Sequence, residues 1–364
     1  MPVSSSIKTG AQADVARRAL GAALVALCAG CGGGSGSNGS GDATVGAPPR
    51  IAAISVVAGD AMAEGSTDGP GATARFGSPR GIAVDADGNL YVADRRNCTI
   101  RKITPSGQVS TLAGSPGVQG QVDDTGSAAR FMSPGGLSID AAGNLFVADD
   151  LNIRKVSPSG VVTTVTTLPV GASVDTRSMG LFVAGATAVA ANGDLYVTNG
   201  IGTRKISAAG TTMVEGVATA DNMFGTKIVQ ARGITIDKSG TVYVADLQNV
   251  ISKIGTDGKL VAVAGSPGVV GSADGSGASA SFSGVSALAT DANGNVYAAD
   301  SGNNLIRKIT PAGVVTTVAG TRGSFALQPG PAPGSLAPVG GVTVDKGGNL
   351  FATSGTAVIK VSPP

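Results

Sequence analysis

The chain has 364 residues, a formal net charge of +2, 57 glycines and neither histidine nor tryptophan. Because histidine is missing, a Ser-His-Asp triad, a cysteine–histidine pair and a histidine-ligated zinc site are all excluded. Only two of the acidic residues are glutamates, Glu64 and Glu215. The near-neutral charge gives no electrostatic footprint for nucleic acid, so we expect no nucleic-acid partner.

The first 30 residues have the pattern of an export signal. A basic segment ending in Arg17-Arg18 precedes an apolar run of 11 residues over 19–29, which is too short to span a bilayer. The run ends in Leu27-Cys-Ala-Gly-Cys31, which resembles the cleavage box of bacterial lipoproteins, except that a cysteine replaces the usual leucine. We predict a lipoprotein-type signal peptide over 1–30 and lipidation of Cys31. The alternative is an ordinary secretory signal.

Residues 31–50 are rich in glycine and serine and contain Pro48-Pro49 near their end, a composition typical of a flexible tether. A lipid anchor followed by such a spacer indicates a location in the cell envelope. We expect an outer-membrane lipoprotein that faces the periplasm or the surface and contacts the lipid bilayer through acylated Cys31. Cys98 would be the other cysteine of the mature chain, so no intramolecular disulfide is expected.

Residues 51–364 consist of six repeats. We align them on one position, the aligned position, which recurs every 47 to 55 residues: Asp85, Asp140, Ala190, Asp237, Asp291 and Asp345. Each repeat holds short runs of β-branched residues separated by Asp, Asn, Gly or Pro turns, which predicts four antiparallel strands. A period near 50 residues predicts one propeller blade per repeat, and therefore an all-β, six-bladed β-propeller over 51–364.

The two ends of this region complete each other. The sixth repeat stops one strand short, at Val358 to Val361, while Ile54 to Gly59 has the sequence of a fourth strand. We predict that this N-terminal strand completes the last blade, which would remove two exposed sheet edges.

Each repeat contains two of the 12 aromatic residues, one from each of two sets. The first set lies six residues after the aligned position: Tyr91, Phe146, Tyr196, Tyr243, Tyr297 and Phe351. The second, more loosely spaced set precedes each first strand: Phe76, Phe131, Phe182, Phe224, Phe282 and Phe325. We expect both sets to pack between neighbouring blades, which leaves no aromatic side chain for a sugar platform or for base stacking.

The repeat resembles the NHL repeat, in the form common in bacterial envelope proteins. The matching segments are Pro79-Arg-Gly-Ile-Ala-Val-Asp85, Gly88-Asn-Leu-Tyr-Val-Ala-Asp94 and Ile100-Arg-Lys-Ile103. The third and sixth repeats depart from the pattern, with Asn199 and Ser354 at the second aspartate. The resemblance implies a propeller but leaves the function open, because the family includes lyases, lactonase-like relatives, sensors and scaffolds.

The segment from Asp85 to Asn89 has a superficial likeness to a calcium loop. An EF-hand loop needs glycine at its sixth position and glutamate at its twelfth, whereas here glycine is fourth and no glutamate follows. The repeats share glycine with Asn or Asp in this segment, so we predict a hairpin turn.

Two sets of polar residues recur on the face that carries the long loops entering each blade, called here the loop face. The first set ends the second strands: Asp94, Asp149, Asn199, Asp246 and Asp300. The second set lies on the third strands: Arg101, Arg154, Arg204 and Arg307. We interpret the first set as caps on loop N–H groups, with a ring of cation ligands as the alternative. The arginines could pair with the four aspartates of the first set. We interpret them as salt bridges between blades, with anion binding as the alternative.

The scarcity of catalytic residues and the predicted anchor favour a non-catalytic function. We expect a monomeric envelope protein that binds or scaffolds an envelope protein or ligand at the loop face, with no catalytic residue, metal or cofactor. The alternative is a metal-dependent hydrolase or lactonase-like enzyme, by analogy with other six-bladed propellers. Such an enzyme would hold a cation in the central channel with carboxylate and amide groups, so the question of enzymatic activity stays open here.

Overall fold

The computed structural model describes residues 52–168, 185–199, 202–215, 231–255 and 260–362. Its strands form six antiparallel sheets of four or five strands, which confirms the predicted all-β, six-bladed propeller. The helical segments of these ranges are single 3₁₀ turns at Gly126–Ala128 and Gly277–Ser279, and none of their helices could cross a membrane. The predicted signal peptide over 1–30, Cys31 and the tether over 31–50 lie outside the described residues.

Each blade is a meander whose first strand borders the central channel. Strand β1 (Ala53–Gly59) precedes the first blade, which contains β2 (Gly69–Pro70), β3 (Pro79–Val84), β4 (Leu90–Asp94), β5 (Thr99–Ile103) and β6 (Gln108–Gly114). Blade two contains β7 (Pro134–Ile139), β8 (Leu145–Asp149), β9 (Asn152–Val156) and β10 (Val162–Thr167). Blade three contains β11 (Thr187–Val189), β12 (Leu195–Thr198), β13 (Thr203–Ser207) and β14 (Gly210–Glu215).

The second half of the ring repeats this order. Blade four contains β15 (Gly233–Ile236), β16 (Val242–Ala245), β17 (Ile251–Ile254) and β18 (Leu260–Ala264). Blade five contains β19 (Gly275–Ser276), β20 (Val285–Thr290), β21 (Val296–Asp300), β22 (Leu305–Ile309) and β23 (Val314–Ala319). Blade six contains β24 (Gly330–Pro331), β25 (Val339–Val344), β26 (Leu350–Ser354) and β27 (Ala357–Ser362). The two-residue strands β2, β19 and β24 add a fifth strand at the outer edge of their blades.

Strand β1 supplies the fourth strand of blade six. It pairs antiparallel with β27, and Ile54 lies opposite Val361 while Val56 lies opposite Ile359. The first strands contact one another around the channel in blade order, and β25 of blade six contacts β3 of blade one. The sheet of blade six therefore joins the two ends of the described propeller.

Hairpin turns at the aligned position hold the first and second strands together. The Asp85 carboxylate accepts hydrogen bonds from the backbone N–H groups of Asp87 (2.9 Å) and Asn89 (2.8 Å) and from the Tyr91 hydroxyl (3.1 Å). Gly88 has a φ of +83°, in the left-handed region that glycine tolerates. The carboxylates of Asp140, Asp291 and Asp345 accept the same two backbone hydrogen bonds, so the predicted turn is confirmed.

Small residues let neighbouring first strands approach backbone to backbone. Four residues before the aligned position, the blades carry Gly81, Gly136, Ala186, Gly233, Ala287 and Gly341. A Cβ atom on Gly81 would lie 2.5 Å from the carbonyl oxygen of Gly135, and one on Gly341 would overlap the carbonyl oxygen of Arg80. Neighbouring first strands are therefore in close backbone contact, and the backbone of Arg80 packs against blade six.

The second aromatic set departs from the expectation in blade six. Phe76, Phe131 and Phe282 are fully buried, but Phe325 is 71% exposed. The buried position in blade six, nine residues before the aligned position, is instead occupied by Leu336. The prediction that every aromatic side chain packs between blades was therefore wrong at Phe325. The second aromatic set is unevenly spaced in the sequence, so the sequence did not show that Leu336 takes the buried position in blade six. Phe182 and Phe224 lie outside the described residues.

Candidate functional site

The sequence-predicted arginine and aspartate of blade one meet in a buried cluster. The Arg101 guanidinium contacts the Asp94 carboxylate at 3.1 Å and the Asp68 carboxylate at 2.5 Å, and both Arg101 and Asp94 are fully buried. Arg101 also donates to the backbone carbonyls of Thr67 and Arg75. Its guanidinium carbon lies 5.0 Å from the centre of the Phe76 ring, a cation–π geometry. The cluster ties the loop that enters the blade to the third strand of the same blade.

The Asp94 carboxylate is also the predicted cap. It accepts a hydrogen bond from the Gly77 backbone N–H at 2.8 Å and another from the Asn97 amide at 2.7 Å. Burial raises the pKa of Asp94, while these hydrogen bonds and the charge of Arg101 act to lower it. The carboxylate therefore has several internal partners in this blade.

Blades two and five repeat the cluster. Arg154 contacts Asp149 at 3.2 Å and Asp123 at 2.7 Å, and Arg307 contacts Asp300 at 2.9 Å and Asp274 at 2.8 Å. All of these ion pairs lie within a blade and its entering loop, so the expectation of salt bridges between blades is corrected. The loop carboxylates were not predicted as partners, although each lies eight residues before the buried phenylalanine: Asp68, Asp123 and Asp274.

The predicted residues of blades three and four lie in different surroundings. Arg204 is half-buried. In the orientation of the Asn199 amide that satisfies both its oxygen and its nitrogen, the oxygen accepts a hydrogen bond from Arg204 Nε at 3.3 Å. Asp246 accepts hydrogen bonds from the backbone N–H groups of Gln248 (3.0 Å) and Val250 (3.1 Å). Ser252 stands where blades one, two and five carry the arginine. The described ranges contain no cluster of three or more metal-ligating side chains, and a ligand role for these residues stays a prediction.

A cavity with a volume of about 590 Å³ lies in the central channel of the propeller. The first strands of all six blades line it with aliphatic side chains, glycines and hydroxyl groups. Its charged lining residues in the described ranges are Arg80, Arg95 and Arg232, and neither a carboxylate nor a side-chain amide lines it there. A concave site of this volume suits a small molecule.

These three arginines were missed by the sequence analysis. Arg80 and Arg232 both lie five residues before the aligned position, where the other blades carry Gly135, Gly185, Ser286 and Gly340. Partial loss of hydration in the channel and the charges of Arg95 and Arg232 lower the pKa of Arg80, whose side chain still contacts solvent. Arg95 donates from Nε to the Ser133 hydroxyl at 2.8 Å. In the sequence, Arg80 and Arg232 differ from the residues that the other repeats carry at this position. A search for residues shared by all repeats therefore does not reveal them.

A comparison with protein families finds a match in the first repeat. The NHL repeat family model matches residues 76–103. Over 89 residues the chain is 39% identical to the Arabidopsis thaliana protein SUPPRESSOR OF QUENCHING 1, chloroplastic, a stretch that covers 24% of this chain and 8% of that protein. The chain thus spans less than a tenth of this relative. The chain is a six-bladed β-propeller, and residues 76–103 in its first repeat match the NHL repeat.

Solved structures share the fold at low identity. An auxiliary nutrient binding protein from Bacteroides thetaiotaomicron superposes with a TM-score of 0.65 at 16% identity, over 85% of this chain and 76% of that chain. A gluconolactonase from Xanthomonas campestris superposes with a TM-score of 0.54 at 14% identity, over 86% of this chain and 90% of that chain. Likeness at this level establishes the fold, and a binding protein and an enzyme both have it.

Proposed function

We propose that this chain is an exported, lipid-anchored NHL-repeat propeller that binds a ligand or partner in the bacterial cell envelope without catalysing a reaction. The observation that carries the proposal is the lining of the channel. It offers three arginines but, in the described ranges, neither a carboxylate, nor an amide, nor a cysteine, and the chain has no histidine. Such a lining can hold a ligand, but it lacks a general base and a set of cation ligands.

The location rests on the amino-terminal pattern. Lipidation of Cys31 and a glycine-serine tether over 32–50 would hold the propeller close to a membrane while leaving it free to reorient. The similarity to a nutrient binding protein from Bacteroides supports a binding role through the fold alone.

The alternative function, a metal-dependent hydrolase or lactonase, requires oxygen ligands for a cation in the channel. The gluconolactonase likeness supports this alternative at the level of the fold. The channel lining does not favour it, because the charged groups that line the described part of the channel are cationic and would repel a divalent metal ion. A panel of lactones and esters with Ca²⁺ or Zn²⁺ tests it, and metal-dependent turnover would replace the proposed function.

Acylation and location are tested by labelling with radioactive palmitate in a Gram-negative host. We expect label and membrane fractionation for the natural chain and for Cys98→Ala, which removes the other cysteine of the predicted mature protein. We expect neither for Cys31→Ala. Label that persists in Cys31→Ala, or a natural chain recovered unlabelled from the medium, would contradict the anchored form.

A further inference from the structure

Two arginines of the channel come from opposite sides of the ring. Arg80 lies on β3 of blade one, and Arg232 immediately precedes β15 of blade four. The first strands contact one another in blade order around the channel, so blades one and four face each other across it. Both side chains are exposed to solvent. Within the described parts of the chain, neither has a carboxylate partner.

Each of the two arginines has its backbone fixed by a threonine of the preceding blade. The Thr353 hydroxyl donates to the Arg80 carbonyl oxygen at 2.8 Å and accepts from the Gly341 N–H at 2.8 Å. The Thr198 hydroxyl does the same with the Arg232 carbonyl (3.0 Å) and the Ala186 N–H (2.9 Å). The other four blades carry alanine at this position: Ala93, Ala148, Ala245 and Ala299. At this position the threonine therefore occurs only in the two blades that precede the arginines, while the corresponding carbonyl of Gly340 accepts instead from the Ser286 hydroxyl at 2.8 Å.

The same two blades have also lost a negative charge. The residue after each threonine is Ser354 in blade six and Asn199 in blade three, whereas the other blades carry aspartate: Asp94, Asp149, Asp246 and Asp300. Ser354 donates to the Ala337 carbonyl at 3.0 Å, so it still contacts the entering loop without a charge. Two cations that face each other beside the neutral Ser354 and Asn199 form an environment that attracts an anion.

We propose that this end of the channel binds a small organic anion, whose carboxylate, phosphate or sulfate group lies between Arg80 and Arg232. Arginine donates two parallel hydrogen bonds to such oxyanions, and Arg95 supplies a third cation at the same site. The hydroxyl groups and aliphatic side chains of the first strands, such as Thr187 and Leu288, line the space for the remainder of the ligand. This inference names the ligand class of the proposed function and rests on it.

The probe is sodium succinate, compared with uncharged succinamide and with sodium chloride at equal ionic strength. We expect succinate to raise the Tm of the purified protein above both references. In Arg80→Gln/Arg232→Gln the apparent Kd for succinate should rise at least about tenfold. The control Arg322→Gln removes an exposed arginine that lies outside the channel lining and should keep the natural shift.

Either of two results overturns the inference: equal Tm in succinate and chloride, or the same succinate shift in the double variant. Should the double variant fail to fold, Arg80→Lys/Arg232→Lys keeps the charge, and an unchanged succinate affinity there would contradict bidentate binding. Proton NMR of the succinate after incubation separates the two proposals. Consumption of succinate would end the non-catalytic function while the anion site stands, and a missing shift with an envelope location intact would end the anion site alone.

Discussion

Blades five and six fill the same positions with opposite chemistry. Blade five buries Arg307, Asp300 and Phe282 as an ion-paired cluster with a cation–π contact of 5.1 Å. Blade six buries Ile359, Ser354 and Leu336 at the corresponding positions, with a single hydroxyl hydrogen bond. Both blades are four full strands with a short fifth strand at the edge, so the blade does not require the charges in order to form.

The comparison shows that the cluster carries a cost as well as a benefit. The Nε–H groups of Arg101, Arg154 and Arg307 are buried without a hydrogen-bond partner in the described structure, which is unfavourable. Buried ion pairs can often be replaced by well-packed apolar groups with little loss, whereas the removal of one partner leaves an uncompensated charge. Blade six is a natural example of the complete replacement.

Breaking the cluster on one side should have the largest effect. Arg307→Ile leaves the Asp300 carboxylate buried without its cation, so we expect the free energy of unfolding to fall by about 3–5 kcal/mol. Urea denaturation at pH 7 measures the loss. Arg322→Ile removes an exposed arginine that has no ion-pair partner within the described ranges, and it should change stability by less than about 0.5 kcal/mol. A loss for Arg307→Ile as small as that of the control would contradict the structural role of the cluster.

Converting the buried part of the cluster should have a smaller effect. The triple variant Arg307→Ile, Asp300→Ser and Phe282→Leu gives the three buried positions of blade five the residues of blade six and leaves the more exposed Asp274 in place. We expect it to lose less than half of the stability that Arg307→Ile alone loses, because the buried charge is removed with its partner. Urea denaturation of both variants provides the comparison. A triple variant less stable than the single variant would show that the two blades are not interchangeable.

The smallest effect concerns the tyrosines at the hairpin turns. Burial, followed by the charge and hydrogen bond of the aligned aspartate, raises the pKa of Tyr91 and of Tyr297 to about 12. In the unfolded chain the tyrosine hydroxyls ionise near pH 10. The contribution of the neutral tyrosines to folding stability is therefore complete below about pH 10 and is lost as pH rises towards 12. Tyr91→Phe/Tyr297→Phe should therefore lose less stability than the natural chain between pH 9 and 11.5.

Urea midpoints at the two pH values measure this difference. Tyr196→Phe is the matched control, because its repeat carries Ala190 at the aligned position. It should follow the pH dependence of the natural chain. If the double variant shows the same pH dependence as the natural chain, the tyrosine–aspartate pairs do not contribute to the loss of stability at alkaline pH.

Shared residues made the fold predictable. The aligned aspartate, the glycine of the turn and the alternating apolar strands recur because every blade needs the same hairpin and the same packing. The second aspartate and the arginine were also visible in the sequence, and the hydrogen bonds that the aspartates accept from loop N–H groups agree with the predicted cap. Their loop partner Asp274 was harder to assign, because sequence spacing does not show that an entering loop folds back onto the third strand.

The channel arginines could not be found by the same reasoning. A ligand in the proposed channel site would contact single blades rather than all six, so its contacts would appear as departures from the repeat. Arg80 and Arg232 stand at a position that other repeats fill with glycine or serine, and Thr353 and Thr198 replace an alanine. The exposure of Phe325 was missed for a related reason, because its repeat has a leucine, Leu336, at the buried position.

The most direct test of the account is a set of thermal melts of the purified protein in EDTA, Ca²⁺, Zn²⁺ and succinate at equal ionic strength. The central claim is that the channel accepts anions and that the propeller needs no metal ion. A ligand present at about 100 times its Kd adds roughly 2.7 kcal/mol, a shift of several degrees for a domain of this size. We predict a rise in succinate and equal melting in EDTA, Ca²⁺ and Zn²⁺. A rise of several degrees with Ca²⁺ or Zn²⁺ and none with succinate would contradict the account and favour the metal-dependent hydrolase.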